Sequence, residues 1–218
     1  MTPPASWPPM PPMPKPTDEL TAPPRPKPSS RAPRTPAHRL APLLSDVDDG
    51  ALRGSHDGSD LRIAVLCARF NDEVTTRLLA GALRKLKECN VAEEKRLVAW
   101  VPGSFELPLA AQAVANLGSF HAIVCLGAII RGETAHFEFV AGQCAAGLQR
   151  VQLETKLPIA FGVLTTEDLP QALERSGGSL GNKGEEAVET AIEMVRVLKE
   201  VHEAGQRLRS QARTSMAY

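Results

Sequence analysis

The chain has 218 residues, enough for one ordinary domain and a tail. Its 25 basic and 25 acidic residues cancel, which removes any electrostatic case for a nucleic-acid partner or an anionic membrane surface. No apolar run reaches the ~18 residues needed to span a bilayer, and the prolines after Met1 do not read as a secretory signal.

Residues 1–42 hold fifteen of the nineteen prolines, mixed with Ser, Thr, Arg and Lys. Such a stretch buries too little apolar surface to offset its ordering entropy, so it reads as a disordered or polyproline-like tail. Asp18, Glu19, Asp46, Asp48 and Asp49 weigh against an organelle transit peptide, which is usually poor in acids. Residues 43–60 read as a loosely ordered lead-in, 61–206 as the folded domain, and 207–218 as a frayed polar end.

Four short apolar runs follow: Ile63–Cys67, Leu97–Val101, Ala122–Ile130 and Ile159–Thr165. They are near-continuous rather than alternating, as strands buried on both faces should be. Helical patterns lie between them. Val74–Glu88 places Leu78, Leu79, Ala82, Leu83 and Leu86 on one face and stops at Asn90, and Leu107–Asn116 is alanine-rich with Gly118 after it. A third helix is expected over 134–155 and a short one over Glu167–Arg175, ended by Gly177 and Gly178. A long one over Glu185–Gln206 carries Val188, Ile192, Val195 and Leu198 on one face. Strands and helices alternating in this way imply right-handed crossovers and an α/β fold on a parallel sheet.

Cys67, Cys89, Cys125 and Cys144 are far apart and lack metal or redox spacing, so they read as reduced core residues in a reducing compartment.

In such folds ligands bind at the carboxyl ends of the strands, where polar residues collect here. After the first strand stands Ala68-Arg-Phe-Asn71, where Phe70 either packs or lies across a planar ring. After the second comes Pro102-Gly-Ser-Phe-Glu-Leu-Pro108, in which Ser104 either caps the next helix or meets a ligand, and Glu106 stands in its first turn. After the third comes Arg131-Gly-Glu-Thr-Ala-His136. Gly132 allows an unusual backbone angle, and the N–H groups of Glu133 and Thr134 suit an anion. His136 either moves protons or is satisfied by a carbonyl or by Glu138. The fourth strand leads into the capping sequence Thr165-Thr166-Glu167. Arg175 and the glycine-dense loop Gly177–Gly184 follow, but the loop fails P-loop spacing. Arg175 either clamps a phosphate or serves the end of the short helix.

These segments, with Phe161-Gly-Val-Leu-Thr165 and Gly181-Asn-Lys-Gly184, resemble the 6,7-dimethyl-8-ribityllumazine synthase family over about Leu61 to Leu198. The resemblance implies a three-layer flavodoxin-like fold with a four-stranded parallel sheet. It implies cytoplasmic pentamers, in some members closed into 60-subunit shells. The implied reaction condenses 5-amino-6-(D-ribitylamino)uracil with 3,4-dihydroxy-2-butanone 4-phosphate, with no metal and no organic cofactor. By the same resemblance Phe70 stacks on the pyrimidine with Asn71 beside it. Ser104 and Glu106, with Phe105 between them, hold the ring and ribityl hydroxyls, and Ile129 and Ile130 line the ring pocket. The Gly132-Glu133-Thr134 backbone and Arg175 bind phosphate, and His136 moves protons. Phe161, Arg175 and Lys183 reach the site from a neighbouring subunit. The proline-rich tail has no counterpart in the family pattern, and Gly178-Ser179-Leu180 departs from it.

Overall fold

The computed structural model describes residues 51–215, so the proline-rich stretch 1–42 lies outside the described residues. Four parallel strands form the sheet: β1 (Ile63–Ala68), β2 (Arg96–Val101), β3 (Ala122–Ile130) and β4 (Ile159–Thr166), in the order β2-β1-β3-β4. Five helices connect and follow them: α1 (Asp72–Glu88), α2 (Leu107–Asn116), α3 (His136–Thr155), α4 (Leu169–Glu174) and α5 (Lys183–Ser215). A two-stranded antiparallel ribbon, β5 (Ser176–Gly178) and β6 (Gly181–Asn182), joins α4 to α5.

The strand pleat divides the core. Ile63, Val65 and Cys67 of β1 face one way, onto Val74, Leu78 and Leu86 of α1 and Val188 and Ile192 of α5. Ala64, Leu66 and Ala68 face the other way, onto Leu107, Ala111 and Val114 of α2 and Cys144, Leu148 and Val151 of α3. β1 and most of β3 are therefore buried on both faces, which explains their unbroken apolar runs. β2 and β4 are the two edges and depart from that expectation: Val98 and Trp100 on β2 are exposed, as are Phe161 and Thr165 on β4.

The first helix is punctuated as its sequence indicates. Asn71 stands in the left-handed region at its start (φ 62°), Asp72 and Glu73 meet the positive end of the helix dipole, and Lys85 and Lys87 meet the negative end. Asn90 follows its end with φ 61°.

Several local expectations are corrected. The short helix is Leu169–Glu174, and its cap is Asp168, whose carboxylate accepts from the Gln171 N–H at 2.8 Å, rather than Thr165 or Thr166. Ser104 caps nothing; it opens a 3-10 turn. Gly132 does not adopt a positive φ, unlike Gly118, Gly177 and Gly181. Helical geometry also continues past Gln206 through Ser215. No glycine or proline interrupts 207–215, and Arg, Leu, Gln and Ala are good helix formers.

Part of the expected lead-in is held against the domain. The Gly58 N–H donates to the Cys89 carbonyl at 2.7 Å, the Asn90 amide donates to Asp57 at 3.1 Å, and Arg196 of α5 pairs with Asp60 and donates to the Asp57 carbonyl. Among the described residues no helix is long and apolar enough to cross a membrane.

Candidate functional site

β1 lies between β2 and β3, so the three strand ends carrying the first three motifs are neighbours. The Arg69 N–H donates to the Val101 carbonyl at 2.9 Å and the Phe70 N–H to the Pro102 carbonyl at 3.2 Å, tying the end of β1 to the turn after β2. On its other side the Asn71 side-chain amide donates to the Ala128 carbonyl at 2.8 Å. Asn71 thus commits one side-chain N–H to the sheet, in a left-handed conformation that asparagine tolerates better than most residues.

Phe70 is held between these anchors yet is 71% exposed. An aromatic ring left open to water on a rigid strand end offers a stacking surface for a planar ligand. Ser104 is buried, and its hydroxyl lies against Gly127, where an added Cβ would meet the Ser104 Oγ at 2.5 Å. The turn after β2 therefore presses directly onto β3, and only a glycine at 127 permits it. Phe105 and Glu106 stand beside it exposed.

Ile129 and Ile130 end β3, and the pleat sends them to opposite faces. Ile129 packs in the cluster of α2 and α3, while Ile130 packs with α1 and α5. One of the two, at most, faces any given pocket.

Residues 132–136 are all exposed. His136 is the first residue of α3. Its N–H reaches the Thr134 hydroxyl at 3.4 Å, and its ring makes no hydrogen bond with the described residues. Glu138, the partner open to it on sequence grounds, is instead paired with Arg131. The Glu138 carboxyl is held below its usual range, first by that hydrogen bond. The His136 ring is thus open to solvent.

Phe161, Arg175 and Lys183 lie apart from that constellation. They line a cavity of about 470 Å3 along edge strand β4, with Thr165, Thr166 and Glu186. Arg175 follows α4 and donates to the Gln171 carbonyl at 2.9 Å, so it does serve the helix end while its guanidinium borders the cavity. Lys183 opens α5 and pairs with Glu186. The Lys183 N–H donates to the Arg175 carbonyl at 2.9 Å, which brings the two backbones together across the β5–β6 ribbon.

Two residues that stand in the quoted motifs, but to which the sequence assigns no role, hold this arrangement. Asn182 is buried between α1, β5 and α5: its amide donates to the carbonyls of Arg77 at 2.9 Å and Ser176 at 3.2 Å, and its carbonyl oxygen accepts from the Gly184 N–H at 2.8 Å. Arg131 pairs with Glu138 and Glu167. Neither has a periodic signature, because their partners lie on other elements. Among the described residues no group of His, Cys, Asp and Glu side chains is arranged to hold a metal ion.

The chain matches the family model described as 6,7-dimethyl-8-ribityllumazine synthase over residues 60–199. It is 55% identical over 141 residues to the 6,7-dimethyl-8-ribityllumazine synthase of Thermus thermophilus, covering 65% of this chain and 90% of that protein. It is 52% identical over 143 residues to the protein of that name from Protochlamydia amoebophila, covering 66% and 83%. It is 52% identical over 141 residues to the one from Edwardsiella ictaluri, covering 64% and 90%. The matched span begins just before β1 and ends within α5, taking in every strand end described above, and the chain belongs to the 6,7-dimethyl-8-ribityllumazine synthase family.

Proposed function

We infer that this chain condenses 5-amino-6-(D-ribitylamino)uracil with 3,4-dihydroxy-2-butanone 4-phosphate, giving 6,7-dimethyl-8-ribityllumazine and releasing phosphate in riboflavin biosynthesis. The observation that carries this reading is the gathering of three neighbouring strand ends that carry exposed Phe70, Glu106 and His136, with the end of β1 tied by backbone bonds to the end of β2 and the turn after it. Family membership supplies the reaction class.

Phe70 stacks on the pyrimidine, with Asn71 holding it in place through Ala128. Glu106 receives ribityl hydroxyls, with Ser104 and Phe105 shaping the turn, and Ile129 closes the ring pocket from β3. The N–H groups of Gly132, Glu133 and Thr134, just before α3, receive the phosphate. The 5-amino nitrogen attacks the ketone carbon and water leaves, giving an imine. Removal of a proton expels phosphate. The resulting enol takes up a proton to become a ketone, and the ribitylamino nitrogen closes the second ring with loss of another water. His136 accepts and returns protons. Holding two reactants together supplies the rest, an effect worth up to about 7–11 kcal/mol in well-oriented systems.

The site is shared between two chains in this reading. Phe161, Arg175 and Lys183 lie along an edge strand, open on its outer side, where a second copy brings its own Phe70 and His136. A homo-pentamer satisfies that requirement, and its closure into a 60-subunit shell is compatible with the short β5–β6 turn. A cytoplasmic location belongs to the same reading, supported by four buried, unbridged cysteines.

The test is formation of the lumazine chromophore from the two substrates, followed by mixing of two impaired variants. His136→Ala and Arg175→Ala each lack a different half of a shared site. Co-assembly of the two recovers activity; a mixture as impaired as either parent refutes the sharing, and no chromophore from the unmodified chain refutes the reaction.

A further inference from the structure

We infer that Arg131 is a positioning residue: its guanidinium joins Glu138 at the start of α3 to Glu167 after β4, and so sets the shape and the charge of the Gly132–Ala135 loop. The inference rests on the reading that this loop receives the phosphate.

The loop has little to hold it in place. Its residues are exposed, and an added Cβ at Gly132 would meet no atom within 4 Å. Its hydrogen bonds are long: the His136 N–H to Thr134 at 3.4 Å and the Glu138 N–H to the Ala135 carbonyl at 3.2 Å. Its conformation is therefore set from its two ends, and Arg131 stands at both. At the β3 end the Arg131 N–H donates to the Thr166 carbonyl at 2.9 Å, and its Nε meets Glu167 at 2.7 Å. At the α3 end the guanidinium pairs with Glu138 and lies over the Phe137 ring, 4.1 Å from its centroid. The planar fork of arginine can serve two carboxylates and a ring face at once; the ammonium of lysine cannot.

Charge gives the second argument. Without Arg131, Glu138 and Glu167 would stand uncompensated beside a loop meant for an anion. With it both are paired and half of their charge is cancelled, and the guanidinium, with a carboxylate on each side, is already engaged without the phosphate. Exposed ion pairs contribute little to stability. The Glu138 and Glu167 side chains are 55% and 63% exposed, so a role in stability alone would leave kinetics nearly untouched.

The experiment measures KM for each substrate separately, with melting temperature alongside. Arg131→Met raises KM for the butanone phosphate about tenfold and leaves KM for the pyrimidine within about twofold. Arg131→Lys recovers only part of the loss. Adding Glu138→Gln and Glu167→Gln to Arg131→Met also brings the phosphate KM part of the way back. Equal changes in both KM values, or a loss of melting temperature alone, overturn the inference. So does a triple variant as poor as Arg131→Met, because Arg131 would then touch the phosphate itself. Glu133→Pro, which deletes one loop N–H, separates this from the underlying reading. If Glu133→Pro raises the phosphate KM and Arg131→Met does not, only the positioning role fails. If neither raises it, the phosphate assignment fails.

Discussion

Replacing Asn182 by alanine should cost stability well beyond that of an ordinary surface change. The side chain is 6% exposed and makes three hydrogen bonds, to the carbonyls of Arg77 and Ser176 and from the Gly184 N–H. Each such bond contributes about 1 kcal/mol net, and the abandoned carbonyls are left in a site closed to water, so a loss of about 3–4 kcal/mol is expected. Part of that is the loss of a helix cap, since Gly184 lies in the first turn of α5. The gap cannot collapse easily: a Cβ at Gly184 would clash with the Leu78 carbonyl, so α1 and α5 are already at their closest approach. For a domain of this size 1 kcal/mol corresponds to about 2–4 °C, giving a drop in melting temperature of about 6–16 °C. The assay is thermal unfolding by circular dichroism at matched protomer concentration, because association would shift the midpoint. Asn182→Asp is the discriminating companion. It keeps an acceptor for Gly184 but turns a carboxylate oxygen toward two carbonyls, so it should fare no better than alanine. If both variants melt within about 2 °C of the parent, the bonding assigned to Asn182 is wrong.

Three further outcomes are expected. His136→Ala should lower kcat by about 10²–10⁴ with little change in either KM, since the ring is exposed and supports no other residue; an unchanged kcat at saturation sinks the proton-transfer role. Asp60 has its carboxyl lowered from 3.8 to about 2, chiefly by the hydrogen bond from Arg196. A depressed folded-state value means stability present above pH 3.8 and lost as pH falls toward about 2. The difference in urea midpoint between the parent and Asp60→Asn should therefore be small, because the side chain is 65% exposed, and should shrink on going from about pH 6 to about pH 3; a difference that grows with acid contradicts the pairing. Burial pushes the Cys67 thiol up to about 12 and the Cys144 thiol to about 11, and both are fully buried. Iodoacetamide at neutral pH should leave both unmodified in the folded protein and label both in denaturant, read by mass spectrometry; labelling of the folded protein would show that these thiols are not sealed in the core.

Much of the fold was legible from local pattern. Ala122–Ile130 and Leu107–Asn116 occupy their expected spans, because a buried strand and an amphipathic helix each declare themselves within a few residues. The site motifs were legible too, as polar and aromatic residues where apolar runs stop. Their family order then named the chemistry that a single motif leaves open, as Ser104, His136 and Arg175 each did.

What the tertiary structure decided concerns pairs of residues remote in the chain. Strand order made β2 and β4 edges, which is why Trp100 and Phe161 are exposed despite sitting in apolar runs. The pleat of β3 parted Ile129 from Ile130, and the buried Ser104 lies against Gly127 rather than capping a helix. Asn71 bonds Ala128 across 57 residues and Asn182 bonds Arg77 across 105. Arg131 draws Glu138 and Glu167 together from two different elements. Periodicity records which face of an element is apolar. It carries no record of which element stands opposite, so the sequence by itself determined the strands, the helices and the residue types at their ends. Packing alone decided which of those ends meet, and which side chains hold them there.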